Sequence, residues 1–323
     1  MEGVASADHI WLRGSTRKVL RLSRSTGERT VVADDVEDMI AMGERLWVLS
    51  GPAVGGQFNL VDLRSEDATS FAQDREHRIY LHSGRDSEGE VVGLFAVPGA
   101  LRPAVLATRT VAIPEDGGWR RHQLAADLHQ GAWISAPSDD VIYVGYNRGE
   151  WGGGLRRVDL PSGSVSFVTK AGDDACEGLL PPACAPIVGA FNDPGAPDCI
   201  LVGSGIAHLG SSHGSVFQVC GSEIGTVYST PTPTIKDKWM FSEQPWPLHG
   251  FAETDDGWIG ISRDRYFRNR NGNVTEHAMP MFQGWSGIQI SAESENVLFV
   301  VSSCCWGTEA GELYSTIAIP VRP

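Results

Sequence analysis

No stretch of this chain approaches the ~18 consecutive apolar residues of a membrane-spanning helix, so no membrane span is expected. The first residues, Met1 to Trp11, lack the basic start and apolar segment of a secretory signal. Basic side chains are in deficit: 26 Lys and Arg stand against 40 Asp and Glu, a formal charge of −14. Binding a nucleic-acid backbone needs a basic face, so nucleic acid is excluded as a partner, and an anionic membrane surface is disfavoured. Motifs that name a reaction are missing as well. There is no HxH, HExxH or CxxC spacing to announce a metal centre.

Turns and short strands are abundant instead. The 38 glycines and 18 prolines are spread along the chain, as many tight turns require. An alternating apolar strand followed by a tight turn recurs: Val19–Ser23 before Thr26-Gly27, Phe58–Leu63 before Arg64-Ser65-Glu66, and Leu155–Leu160 before Pro161-Ser162-Gly163. Self-similar β-units at a period of roughly 40 residues are the signature of a radial repeat.

Aligned on their apolar second strands, the units form one domain over 1–323, with blades at about 8–33, 36–72, 75–125, 129–170, 186–229, 247–277 and 285–319. Gly131, Gly189 and Gly287 each lie ten residues before the start of the next strand, at Val141, Cys199 and Val297. Glycine recurring on a first strand fits a crowded approach of backbones. Blade 1 lacks an inner strand in this frame. Either a strand lies upstream of Met1, or the tail 314–323 completes the ring. The pattern resembles the broad seven-bladed β-propeller superfamily across nearly all the chain, without matching any one family. The expected fold is therefore all-β: a seven-bladed propeller of four-stranded antiparallel blades, the first and last incomplete.

The six cysteines are informative by position. Cys199 opens one strand and Cys220 closes the next, so a hairpin centred near Leu209-Gly210 sets them opposite one another. Cys176 and Cys184 bracket a short loop, and Cys304 and Cys305 are adjacent. Paired cysteines point to an oxidising compartment, hence a periplasmic or secreted protein, possibly trimmed of its leader. The alternative is a cytoplasmic protein with reduced core cysteines.

Resemblance to propellers implies that the loops entering first strands and those joining second to third strands open on one face, where ligands bind. On that basis the ligand-binding candidates are Tyr146, Arg148, Glu150 and Trp151 of blade 4, with Cys304, Cys305 and Trp306 of blade 7. Indole rings stack on sugars and aromatic ligands, and an adjacent cystine forms a flat apolar platform. The partner is a small molecule, a glycan or a protein. His129, His208, His213 and His249 map to the same face and are the candidate ligands of a transition metal: copper, iron or zinc. That alternative makes the protein a metal-dependent oxidoreductase or lyase. A lactonase-like calcium site built from Asn192, Asp193 and Glu37 is a third reading. Glu37 and Asp38 otherwise sit in a turn, as do Asp139-Asp140 and Asp255-Asp256. The string Gly210-Ser211-Ser212-His213-Gly214 has the G-x-S-x-G form, but a strand rather than a helix follows, so no nucleophile elbow is expected.

Overall fold

The computed structural model describes residues 2–5, 8–13, 16–43, 45–51, 56–63, 78–81, 89–128, 133–147, 153–168, 186–208, 211–232, 244–262, 264–279, 288–294, 297–302 and 316–320. Strands follow one another in sequence and pair with their neighbours. The first sheet holds β1 (Glu2–Ala5), β2 (His9–Arg13), β3 (Val19–Ser23) and β4 (Arg29–Ala33). The second holds β5 (Val36–Met42), β6 (Arg45–Ser50), β7 (Gly56–Asp62) and β8 (Arg78–Leu81). The third holds β9 (Val91–Phe95), β10 (Ala104–Ala107), β11 (Thr110–Glu115) and β12 (Gly118–Gln123).

In the fourth are β13 (Trp133–Ser138), β14 (Val141–Asn147), β15 (Gly153–Asp159) and β16 (Ser164–Phe167). The fifth comprises β17 (Ile187–Asn192), β18 (Cys199–His208), β19 (Ser211–Cys220) and β20 (Glu223–Ser229). The sixth comprises β21 (Gly250–Thr254), β22 (Gly257–Ile261), β23 (Arg265–Arg270) and β24 (Asn273–Ala278). The last sheet has three strands, β25 (Ile288–Ser294), β26 (Val297–Ser302) and β27 (Thr316–Pro320).

This succession of four-stranded antiparallel meanders is a β-propeller arrangement. Among the described residues it has six four-stranded blades, not the seven expected. The first blade is complete, because Glu2–Ala5 pairs with Ile10–Arg13 and supplies the strand that the repeat frame placed upstream of Met1. The tail strand Thr316–Pro320 pairs with Val297–Val301 and so belongs to the last sheet. Arg78–Leu81, read as the first strand of the third blade, instead pairs with Gly56–Asn59 as the fourth strand of the second.

The chain divides into two compact units: Met1–Gly131 with Ser138–Ile142 and Val158–Val165, and Ala132–Pro137 with Tyr143–Arg157 and Ser166–Pro323. In the first unit, one cluster joins Trp11, Val36 and Leu46 across the first two sheets, and another joins Trp47, Ile79, Leu94 and Val105 across the second and third. In the second unit, Val188, Leu201, Phe251, Trp258 and Phe267 form a core across the fifth and sixth sheets. The second strands β6 and β14 are buried on both faces, which is why Leu46–Leu49 and Ile142–Val144 read as unbroken apolar runs. Each fully buried Leu or Ile contributes about 1.5–3 kcal/mol of transfer free energy. Fourth strands such as β16 and β20 are largely exposed and carry polar residues.

Polar residues tie neighbouring blades together within each unit. Asp38 accepts a hydrogen bond from the Leu94 backbone N–H at 2.5 Å and faces Arg13 at 3.7 Å. Asn192 accepts from the Ser135 hydroxyl and donates to the Ala136 carbonyl, both at 2.7 Å.

Candidate functional site

The longest ladder lies in the second unit. Strands β18 and β19 pair over ten rungs, from Cys199 opposite Cys220 to His208 opposite Ser211, leaving only residues 209 and 210 to connect them. A disulfide joins Cys199 to Cys220, with Cα atoms 4.4 Å apart. Resemblance to propellers makes 205–213 an elaborate loop joining the second and third strands of blade 5, but all but two of those residues are strand. The glycines of these strands serve packing. A Cβ on Gly205 would stand 2.5 Å from the Leu248 nitrogen, and one on Gly214 would stand 2.5 Å from the Trp246 carbonyl oxygen. Their absence lets the segment before β21 lie flat on the ladder, where the Ser212 hydroxyl donates to the Pro245 carbonyl at 2.7 Å.

The opposite face of the ladder is polar toward its end. One rung runs Ile187, Ser204, Ser215, Ser229 across all four strands of the sheet. Two rungs on, Ile206 pairs with His213 on the same face, and the ladder ends with His208 opposite Ser211. Ser204 is fully buried, and among the described residues neither its hydroxyl nor the buried Nε2 of His213 has a hydrogen-bond partner. Burial pushes the His213 imidazole below its ordinary 6.5, so it is neutral at pH 7. Ser204 and His213 are diagonal neighbours across the two strands, a spacing of roughly 7–8 Å in general. Two uncompensated polar groups at that spacing suit one inserted hydroxyl, amide or water that hydrogen-bonds both.

This face is turned toward the fourth sheet. A Cβ on Gly145 would stand 2.8 Å from Cγ2 of Ile187, the residue beside Ser204. Two residues earlier, the Tyr143 hydroxyl accepts the Gly221 backbone N–H at 3.0 Å, and burial pushes that hydroxyl's pKa up. Tyr146 follows Gly145 in β14 and by alternation takes the other face of the strand. It is buried there, with the Arg156 guanidinium 5.7 Å from its ring centre.

The remaining expected site residues fall as follows. Arg148, Glu150, Trp151, Cys304, Cys305, Trp306 and His129 lie outside the described residues, as do Cys176 and Cys184. His208 ends β18, its backbone paired with Ser211. His249 donates its backbone N–H to Ile261 at 2.7 Å and directly follows Leu248, which packs on the ladder's other face. Among the described residues no group of three or more His, Cys, Asp or Glu is placed to hold a metal ion.

The acidic candidates are engaged elsewhere. Glu37 pairs with Arg17, its carboxyl pushed up by burial against the pull of Arg17 and Arg13. Asp193 accepts from Gln218 Nε2 at 2.6 Å and caps the turn at Gly195. Asp256 is opposed by burial but held below the usual carboxylate range by Arg268 and Arg270, at 3.4 and 3.0 Å. Residues 211–214 of the G-x-S-x-G string lie in strand β19, with Ser212 buried, so no nucleophile elbow forms there. Ser204 and Ser215 escaped the sequence reading. Their one signal is a serine beside an apolar run, Ser204 after Ile200–Val202 and Ser215 before Val216-Phe217.

No family model matches this sequence, and no curated protein matches it. Among solved structures, the chain is similar to the computationally designed Ika8 protein at a TM-score of 0.47 and 10% identity, over 93% of this chain and 92% of that one. It is similar to PorZ, a bacterial surface component of the type-IX secretion system of Porphyromonas gingivalis, at 0.47 and 11%, over 93% of this chain and 35% of that one. The N-terminal domain of Nup159 gives 0.46 and 10%, over 93% and 86%. These likenesses are weak and carry no functional argument.

Proposed function

We propose that the protein is an extracytoplasmic β-propeller scaffold that holds a small molecule, glycan or protein on the face where the β14–β15 and β18–β19 connections emerge. In this proposal Cys304, Cys305 and Trp306 join Tyr146, Arg148, Glu150 and Trp151 in the binding set. One observation carries the reading: the buried Ser204 hydroxyl and His213 Nε2, side by side on the ladder without partners among the described residues. Such groups cost free energy in a closed interior and are retained where something hydrogen-bonds them. The Cys199–Cys220 disulfide supports the extracytoplasmic assignment. The test is a binding screen against glycans and small neutral ligands with the intact chain, repeated on Trp151→Ala, Trp306→Ala and Ser204→Ala. Loss of retention at least tenfold, with circular dichroism unchanged, is the expected result. Binding that is indifferent to all three substitutions defeats the proposal.

A second reading is favoured by register. The ladder brings the backbone of His208, paired with Ser211, within two residues of His213 on β19, an arrangement open to a shared metal with His129 and His249 completing the set. Elemental analysis after gentle purification and reconstitution decides it. Less than about a tenth of an equivalent of copper, iron or zinc removes it.

A further inference from the structure

Of the seven asparagines in the chain, one stands two residues before a serine or threonine: Asn273, in the triplet Asn273-Val274-Thr275. That spacing is the acceptor signal for an N-linked glycan, and it serves as one where the triplet lies on the surface of a secreted chain. Here the triplet opens β24, the outer strand of the sixth sheet. Arg270 pairs with Asn273, so Asn271 and Gly272 alone turn the chain from β23 into β24. Their φ angles, 50° and 85°, are both in the left-handed region of a type I′ hairpin, which Asn-Gly adopts readily. Asn273 is thereby fixed as the first residue after a tight turn, and it is exposed. Thr275 is exposed too and shares its face of the strand by alternation.

The two neighbouring asparagines build the turn instead. Asn269 is buried, and its Oδ1 accepts the Gly272 N–H at 3.2 Å. Asn271 donates its backbone N–H to the Asp256 carbonyl at 2.9 Å. The end of the sheet matters as well. Leu248 packs on Gly205 and Gly214 near the tip of the β18–β19 ladder, and His249 donates its N–H to Ile261 at the end of β22. Tyr266 starts β23 opposite Ile261, and Arg270 finishes it opposite Gly257. The β23–β24 turn therefore emerges at the end of the sheet opposite the ladder tip, where a bulky group covers none of the ladder-end residues.

We infer that Asn273 is an N-glycosylation site. The inference rests on the extracytoplasmic reading above, because the donor, a lipid-pyrophosphate-linked oligosaccharide, is presented on the lumenal or outer side of a membrane. An oligosaccharyltransferase catalyses the step. The Asn273 amide nitrogen attacks the anomeric carbon of the sugar, and a C–N bond forms as the C–O bond to pyrophosphate breaks. The lipid pyrophosphate leaves with the electron pair, and the nitrogen gives up one proton to solvent. At this exposed position the folded sheet keeps the sugar in water. Beside an outer strand, the glycan also obstructs edge-to-edge pairing with another chain.

The test uses the full chain isolated from the organism that produces it, digested without reduction and mapped by mass spectrometry. The expected result is a saccharide mass increment that fragmentation places on Asn273, with Asn269 and Asn271 bare. Expressed in the same organism, Asn273→Gln and Thr275→Val each abolish the increment, and Thr275→Ser retains it. Valine matches threonine in shape and strand preference, so its effect reports the hydroxyl and not the fold. A bare Asn273 in a chain whose Cys199–Cys220 disulfide is formed overturns the inference and leaves the extracytoplasmic reading standing. A bare Asn273 with both cysteines reduced removes the two together. An increment that survives Thr275→Val also overturns the inference, since the sugar is then attached by a different signal.

Discussion

Replacing Gly189 with alanine probes the close approach of the fifth and sixth sheets. A methyl group there would lie well inside contact with the Phe251 carbonyl oxygen, 2.7 Å from its carbonyl carbon and 2.8 Å from its Cβ. The obstacle is backbone, so no rotamer change relieves it, and β17 and β21 must part by about an ångström. A gap of that size forfeits about a quarter to a half of each dispersion contact across the interface. The residues involved include Val188, Phe251 and Trp258, all core. Overpacking of this kind costs roughly 1–3 kcal/mol, and a backbone obstacle places Gly189→Ala near 3. Gly225→Ala is the matched control, because a methyl there meets nothing within 4 Å and its backbone needs no left-handed conformation. It should gain roughly 0.4–1 kcal/mol through the unfolded chain. Urea unfolding followed by tryptophan fluorescence and near-ultraviolet circular dichroism reads the difference, which thermal melts should show as roughly 6–12 °C for a cooperative unit of 150–250 residues. If Gly189→Ala melts within about a degree of the unsubstituted chain, or both variants shift alike, the packing argument is wrong.

Two other expectations concern the ladder. Replacing Cys199 and Cys220 together with serine opens a loop whose ends are 21 residues apart, and chain entropy puts the loss at about 3 kcal/mol in the same urea experiment; a loss under about 1 kcal/mol contradicts it. His213 has a folded-state pKa below 6.5, so as pH falls the unfolded chain takes up the proton first. Its contribution to stability is complete above the ordinary value and is lost as pH drops from there through the folded value. His213→Gln should flatten the fall in melting temperature between about pH 7 and pH 5, and an unchanged slope refutes the burial of that imidazole.

Local pattern revealed strands well and partners poorly. Val141–Asn147 and Gly153–Asp159 are where alternation puts them, and the disulfide followed from setting Cys199 opposite Cys220. Arg78–Leu81 was recognised as a strand, yet alternation alone does not say which neighbour it joins; pairing with Gly56–Asn59 is a non-local choice. Glu2–Ala5 is too short and too mixed in polarity to stand out, and its place comes from the pairing with β2. Gly205 and Gly214 mark a backbone pressed against a neighbouring segment, which glycine in a sequence does not distinguish from a turn. At the ladder end, His213 was visible as an unusual residue. Ser204 was not, because a serine becomes informative only when its burial and missing partner are known.

The cystine at the closed end of the ladder has a consequence for how the other end can change. Sliding an antiparallel pair by one residue would turn every side chain to the opposite face. Directly opposed half-cystines forbid the slide covalently, so correct alignment of β18 with β19 does not depend on the chemistry of their tip. Residues near His208 and Ser211 are thereby free to be substituted, or the connection lengthened, with the sheet beneath unaltered. The hairpin is a mount with a pinned base and an interchangeable head, suited to diversifying what is bound while the propeller blade stays the same.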